Sequence, residues 1–324
     1  MHFRKDEKFF MWFWLSIAAM LCWSGSDIFS KIGSKPDDKY SHWKMVTAVG
    51  LIMGLHAAYE VFVNGVSITL NDILVYLPAS ALYIISMIFG YVSLRYIELS
   101  ISSPICNSSG ALAAILCLIF LRQDVGTLGM VAIFVVAAGV LLLGIVNARE
   151  DDELRAERQK NANRKYAKSF LAFLLPILYC IIDAAGTFVD TLILREEDTG
   201  TVLDSVFATT LPEDTANVAY ELTFLAMGII AAIYVFAIRR EKIAPKAEGS
   251  KLLGGVCETA GQFAYIFALG DTAHAAPAAA IISAYCVMSL VWSHIFLKEK
   301  LSWKHYVAIG ITAVGIITLG VLDL

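Results

Sequence analysis

The stretch Gln123–Gly144, QDVGTLGMVAIFVVAAGVLLLG, returns 176 residues later as Glu299–Gly320, EKLSWKHYVAIGITAVGIITLG. Gly139 falls on Gly315, Gly144 on Gly320, and the pair Val131-Ala132 on Val307-Ala308. Slightly upstream the offset becomes 173, so that Glu98, six residues before Pro104, falls on Asp271, six residues before Pro277. Two matches in the same order mark a chain built from two related halves. Each copy is an apolar run as long as a helix needs to cross the hydrocarbon of a bilayer, about 20 residues.

The rest of the chain has the same character. Of its 324 residues 58% are apolar and only 17% charged, and the mean hydropathy is +0.68. Soluble domains carry about a quarter of charged residues. The charges are bunched between long apolar runs, which excludes a secreted disulfide scaffold, a nucleic-acid binder and a disordered chain. The net charge of −4 sums both sides of a membrane and says little about partners. Ten apolar runs are long enough to span, near 9–32, 42–63, 73–96, 99–121, 126–147, 169–194, 216–238, 251–270, 273–297 and 303–322. In lipid the backbone must satisfy its own polar groups, so these runs are read as helices, and no alternating ten-residue pattern points to a barrel. The first run is too long for a signal-peptide core and no small-residue cleavage site follows it, so a retained span is expected. Cys22, Cys106, Cys117, Cys180, Cys257 and Cys286 lie inside apolar runs without CxxC or Cys/His spacing. They are read as core residues, and no disulfide, metal or cofactor is expected.

The fold class expected is therefore an all-α polytopic membrane protein with ten transmembrane helices. Residues 1–147 form one five-helix repeat, 148–168 a charged cytoplasmic connector, and 169–324 the second repeat. Residues 195–215 form a second long, acidic connector. An odd number of spans in each half makes the repeats inverted, an arrangement suited to alternating access, with the binding site near the bilayer midplane between them. Lys and Arg number twenty in the odd-numbered connectors against five in the N-terminus and the even-numbered ones. The positive-inside rule then puts both termini outside.

Ionisable groups within a span are costly and usually face a cavity. The first span carries Trp23, Asp27 and Ser30 on one face. The sixth carries Tyr179, Asp183, Gly186 and Asp190, again with an aromatic four residues before an acid. Glu258, Gln262 and Tyr265 share a face of the eighth span, and Tyr76, Ser80, Tyr83, Met87 and Tyr91 one of the third. The ninth lines up His274, Tyr285 and Trp292. Asn107, four residues from Ser103, is read as a lining residue, whereas Ser102, Ser103, Ser108, Ser109 and Gly110 equally suit close helix packing. Asp27 can alternatively pair with Lys31 one turn on. Asp190, near its helix end, reads as solvated. His56 and Glu60, one turn apart, read as an interfacial pair; Tyr220 and Glu221 open the seventh span, and Asp271 and His274 flank a solvated connector.

The ends of the two halves, an apolar fourth helix closing in Phe120–Gln123 (FLRQ) or Phe296–Glu299 (FLKE) and then a Gly-punctuated fifth helix, resemble the drug/metabolite transporter superfamily in its EamA-type ten-helix branch. Glu299 matches the acid that family carries at the end of helix four, whereas the first half has Gln123 and Asp124. The resemblance implies a central cavity formed by helices 1–4 and 6–9, with helices 5 and 10 as scaffold. It also implies cytoplasmic termini, against the charge count.

The expected site is thus lined by Trp23, Asp27, Tyr83, Asn107, Tyr179, Asp183, Glu258, Gln262, Tyr265 and Tyr285. Acids in low dielectric can bind a cationic substrate, with aromatic faces adding cation–π attraction, or carry an exchangeable proton. An anion site would need several Lys or Arg there. The expected function is secondary transport of a small cationic or zwitterionic organic metabolite, such as an amine, a choline-like compound or an amino acid, coupled to protons. A carrier of neutral metabolites, with the acids serving gating, is the alternative. An intramembrane enzyme is the remote one, resting on His56 and Glu60 without any HExxH, GxSxG, P-loop or CxxC motif. The expected setting is a bacterial inner or plasma membrane, the state a monomer or homodimer, and the partners substrate, protons and lipid.

Overall fold

Each apolar run folds as a helix, since only there are its backbone donors and acceptors paired within the segment. The computed structural model describes residues 11–33, 38–93, 99–121, 125–149, 170–195, 198–242, 245–297 and 301–322. Its main helices are α1 (Met11–Gly33), α2 (Ser41–Phe62), α3 (Leu70–Ser93), α4 (Leu99–Phe120), α5 (Gly126–Ala148) and α6 (Phe170–Leu194). They continue with α7 (Glu213–Ala232), α8 (Pro245–Leu269), α9 (Ala275–Ser283), α10 (Tyr285–Leu297) and α11 (Trp303–Leu322). Among the described residues seven helices are long and apolar enough to cross a membrane, and Ile105–Phe120 and Trp303–Leu319 are shorter apolar helices. The tenth expected run is α1, 23 residues long, whose apolar character is diluted by Ser16, Ser24, Ser26, Asp27 and Ser30. The protein is an all-helical, multi-pass membrane protein.

Several boundaries differ from the sequence expectation. α8 begins at Pro245, ahead of the apolar run, and within its first two turns Glu248 pairs with Lys251 at 3.2 Å. α7 loosens into a π-helix at Ile233–Ile238 before Arg239. The ninth run is two helices, α9 and α10, interrupted at Ala284, whose N–H reaches Ile281 O at 3.1 Å while Val287 N–H turns back to Ala284 O at 2.9 Å. The acidic connector contains a single turn, Leu203–Val206, and Arg195 at its start is buried. Its guanidinium donates to the carbonyls of Leu192 and Phe207 and lies 3.4 Å from Asp204. Most of the mid-chain connector, the Gln123–Asp124 pair, Glu98, Glu299 and the side chains of Lys31, Tyr91, Ser102, Ser103 and Pro104 lie outside the described residues.

The helices pair across the two halves. α1 packs on α8 and α3 on α6; α2 packs on α7, α4 on α9, and α5 on α11. Small residues permit the closest crossings. Gly50 and Gly228 bring α2 and α7 into backbone contact, where a Cβ on Gly50 would stand 2.8 Å from the Gly228 Cα. Between α5 and α11, Gly139 meets Thr312 while Gly315 meets Val136, so one helix advances as the other retreats and the crossing is antiparallel. The outer faces of these two helices stay apolar and exposed, with Phe134 and Leu141 on α5 and Val314 and Ile317 on α11.

At the end of the bundle formed by the α1–α2 and α7–α8 connectors, two buried lysines meet two acids. Lys44 Nζ lies 2.9 Å from Asp38, and Lys251 Nζ lies 3.2 Å from Glu248 and 3.8 Å from Asp38. At the opposite end His274 stacks on Trp12 with centroids 4.9 Å apart and pairs with Asp271 at 2.8 Å. The connector expected to be solvated is thus part-exposed: Trp12 of α1 covers one face of the His274 ring, while Asp271 keeps 31% of its side chain exposed.

Candidate functional site

α6 presents Tyr179, Asp183, Thr187 and Asp190 along one face, as helical spacing requires, and α3, α4 and α8 pack against it. Asp183 is part-buried. Its two oxygens accept hydrogen bonds from Ser86 of α3 at 3.1 Å and Ser109 of α4 at 2.7 Å. Ser109, which the sequence left open to helix packing, thus holds the central carboxylate, while its neighbour Gly110 does the packing, a Cβ there falling 2.7 Å from Ala279 O.

Seven residues along α6, Asp190 is fully buried. This corrects the expectation of a solvated group: α3 crosses over it. Tyr76 donates to its Oδ1 at 2.6 Å and Tyr83 to its Oδ2 at 3.4 Å. The Tyr83 hydroxyl also contacts that of Tyr265 and lies 3.3 Å from the Thr187 hydroxyl, an alternative acceptor for its one proton, and Tyr265 donates to Thr187 at 2.9 Å. The Tyr220 ring closes the group, 6.2 Å from Tyr76 and 5.8 Å from Tyr83.

Toward the other end of the bundle lie Asp27 and Glu258. Asp27 accepts from Ser289 of α10 at 2.7 Å. Glu258 accepts from Ser26 and lies within Coulombic reach of Asp27 and Asp183. Trp23 stands over them, its ring 5.0 Å from Tyr265 and 5.9 Å from Tyr285. It lies across Gly261, where a Cβ would meet its Nε1 at 2.7 Å, and Tyr179 lies across Gly90 in the same way at 2.9 Å. A glycine of the facing helix thus makes room for the aromatic in each half. Trp292 donates to Ser24 at 2.9 Å. Asn107 is buried and hydrogen-bonds Cys286. Gln262 is buried, and among the described residues neither its Nε2 nor the Trp23 Nε1 has an acceptor.

Of the ten residues expected from the sequence, nine are linked into one polar cluster by the contacts above, and Gln262 lies on the same face of α8 as Glu258 and Tyr265 without a described hydrogen bond to them. Asp190, Ser86, Ser109, Thr187, Tyr220 and Ser289 join the cluster. Among the described residues no Lys, Arg or His lies against Asp183, Asp190 or Glu258. An apolar void lined by Val46, Val49, Ile84, Met87, Phe224 and Met227 lies between α2, α3 and α7.

His56 and Glu60 lie elsewhere, between α2 and α7. Their expected pairing is real but secondary, because His56 Nε2 is 3.5 Å from Glu60 whereas Nδ1 is 2.8 Å from the buried Glu221.

Residues 205–321 match the EamA-like transporter family, a branch of the drug/metabolite transporter superfamily. No curated protein matches the chain. A solved structure described as "Crystal structure of protein" is similar over 95% of this chain and 95% of its own, with a TM-score of 0.66 and 11% identity, a likeness of fold alone.

Proposed function

We propose that this chain is a secondary transporter of the ten-helix, inverted-repeat kind, moving a small cationic or zwitterionic organic metabolite by alternating access with proton coupling. The observation that carries this is the central cluster itself: three part-buried acids, Asp27, Asp183 and Glu258, among the rings of Trp23, Tyr179, Tyr265 and Tyr285. Against Asp183 and Glu258 no described basic residue stands. Uncompensated acids within a span attract positive charge, and aromatic faces add to its binding. The unpartnered donors on Gln262 and Trp23 suit the carboxylate or hydroxyl of the same molecule.

Two features support the inverted repeat. Exchanging the halves leaves the helix pairs unchanged: α1·α8 becomes α6·α3, while α2·α7, α4·α9 and α5·α11 map onto themselves. The offset of 176 also carries Val136 and Gly139 onto Thr312 and Gly315, and these four residues touch crosswise. That is the reciprocity a two-fold axis demands. Exchange of the two halves' conformations would then turn an opening on one face into an opening on the other.

A second reading, a carrier of neutral metabolites, is favoured by the serine donors already on both Asp183 oxygens, which suit a carboxylate that joins α3, α4 and α6 as a gate. Thermal unfolding of the purified protein with choline, an amino acid and a neutral polyol, each at two pH values, separates the two, because a ligand that binds the native state raises its apparent stability. Stabilisation by choline or the amino acid that disappears in Asp183→Asn is the expected result. Stabilisation by the polyol alone, retained in that variant, would remove the cationic reading.

A further inference from the structure

We propose that Asp190 is the proton-coupling carboxyl, held in a compartment of its own beside the acids that bind substrate. This rests on the proton-coupled reading above and divides its labour between two sites. Asp190 is fully buried, whereas Asp27, Asp183 and Glu258 are part-exposed. Tyr76 and Tyr83 of α3, Tyr220 of α7 and Tyr265 of α8 crowd it, and α6 itself contributes Thr187 and, two turns back, Asp183. No basic side chain faces it from these elements among the described residues. A proton fits such an enclosure and an organic cation does not.

The geometry also shows where the proton goes. Oδ1 of Asp190 is taken by the Tyr76 hydroxyl at 2.6 Å, whereas Oδ2 has only the long 3.4 Å contact from Tyr83. Loading forms an O–H bond at Oδ2 as one breaks in a donor water or hydroxyl, and unloading reverses it. Three hydroxyls, those of Tyr83, Thr187 and Tyr265, touch one another beside that oxygen. Thr187 shares its face of α6 with Asp183, and Tyr265 shares its face of α8 with Glu258 and Gln262. The hydroxyl trio is thus both the exit for the proton and the electrostatic link to the substrate acids. A loaded Asp190 removes a negative charge from the cluster, and a cation arriving at Asp183 favours the reverse change.

The test uses the full-length protein in proteoliposomes. Infrared difference spectra across the physiological pH range report protonated carboxyls directly, without any substrate. A protonated-carboxyl band that titrates in the wild type should be missing in Asp190→Asn and retained in Asp183→Asn and Glu258→Gln. Tyr76→Phe, which keeps the carboxyl but deletes its shortest hydrogen bond, should move the midpoint of that band, and it serves if Asp190→Asn does not fold. A band that survives in Asp190→Asn, or no titrating band in the wild type, overturns the assignment. With radiolabelled choline as probe, accumulation driven by a pH gradient should fall at least about tenfold in Asp190→Asn, while choline–choline exchange at equal pH persists. Wild-type accumulation in that variant overturns the proposal too. A wild type that neither accumulates nor exchanges choline counts against the cationic reading, while the infrared result still decides for or against Asp190.

Discussion

Gly139 lies against Thr312, so closely that a Cβ on the glycine would stand 2.9 Å from the Thr312 backbone nitrogen. Backbone atoms cannot step aside as a flexible side chain can. Gly139→Ala is therefore expected to destabilise the α5–α11 pair by about 1–3 kcal/mol, the usual cost of overpacking. The equivalent Gly315→Ala, whose Cβ would fall 2.6 Å from Val136 Cγ2 and 2.9 Å from its nitrogen, should cost a similar amount. Thermal unfolding of the two variants in one detergent checks this. A large effect at one site with none at the other would count against the proposed two-fold relation between the halves.

Ser109 and Ser86 hold the two oxygens of Asp183 from different helices, at 2.7 and 3.1 Å. Hydrogen bonds to a charged group are worth about 1.5–3 kcal/mol, and the shorter should count for more. Ser109→Ala is expected to lower stability at neutral pH more than Ser86→Ala. In the background of Asp183→Asn the difference between the two serine variants should shrink, since the charge is gone. A double-mutant cycle on unfolding midpoints measures it; strict additivity would mean that the serines act through packing alone.

Lys251 is almost wholly buried, and its ammonium lies between Glu248 and Asp38. Removing one member of a buried ionic group leaves the others uncompensated, at a cost of about 3–5 kcal/mol. Asp38 and Glu248 are 18% exposed, so Lys251→Met should fall at the lower end. Adding Glu248→Leu should restore most of the loss, because no excess charge then remains beside Lys44. Unfolding of the wild type, both single variants and the double variant gives the coupling, and a double variant less stable than Lys251→Met would contradict it.

The acids of the core were legible in the sequence because charge within an apolar run is rare, and helical spacing alone shows that Tyr179 and Asp183 share a face. Spacing says nothing of what crosses that face. Asp190, near the end of its run, therefore read as solvated until α3 laid Tyr76 and Tyr83 over it. Ser109 read equally as packing, since a serine beside a glycine serves close helices as well as a carboxylate. The break at Ala284 had no signal either: it carries neither Pro nor Gly, and tertiary packing of the wholly buried α9 replaces both. The close crossing of α5 and α11 was legible too, because its contacts are made by Gly139 and Gly315, the glycines that match at the offset of 176.

Asp204 is the half-buried anchor of the connector between α6 and α7. Partial desolvation would raise its pKa, but it is outweighed by hydrogen bonds from the Thr199 N–H and hydroxyl and the Thr201 N–H and by the Arg195 guanidinium, so the carboxyl sits below the ordinary Asp value of 3.8. A depressed carboxyl stabilises its fold fully above the ordinary value and loses that contribution as pH falls through the lowered one. Protection factors of the Thr199 and Thr201 amides are therefore expected to hold to below pH 3.8 and then collapse. Asp204→Asn should show the collapsed values already at neutral pH. Hydrogen exchange with mass spectrometry reads both, and protection insensitive to pH and to the substitution would show that the turn stands without its carboxylate.

Glu221 is fully buried at the α2–α7 crossing, with one oxygen 2.8 Å from His56 Nδ1 and the Asn217 amide, one turn back on α7, as its other polar neighbour. The two residues are not equivalent in what their loss leaves behind. His56→Leu strands a buried carboxyl, with Glu60 close by adding to the negative charge. Glu221→Leu leaves an imidazole 30% exposed that can turn to water or stay with Glu60. The histidine substitution should therefore be the more destabilising, by about 1–3 kcal/mol after allowance for that exposure. The pair of leucines, apolar at a helix crossing already lined by glycine, should recover most of it. Unfolding midpoints for the two single variants and the double variant decide the matter. If Glu221→Leu proves the worse of the two, Asn217 suffices to keep the buried acid stable without His56, and the α2–α7 crossing depends on the carboxyl rather than on the pair.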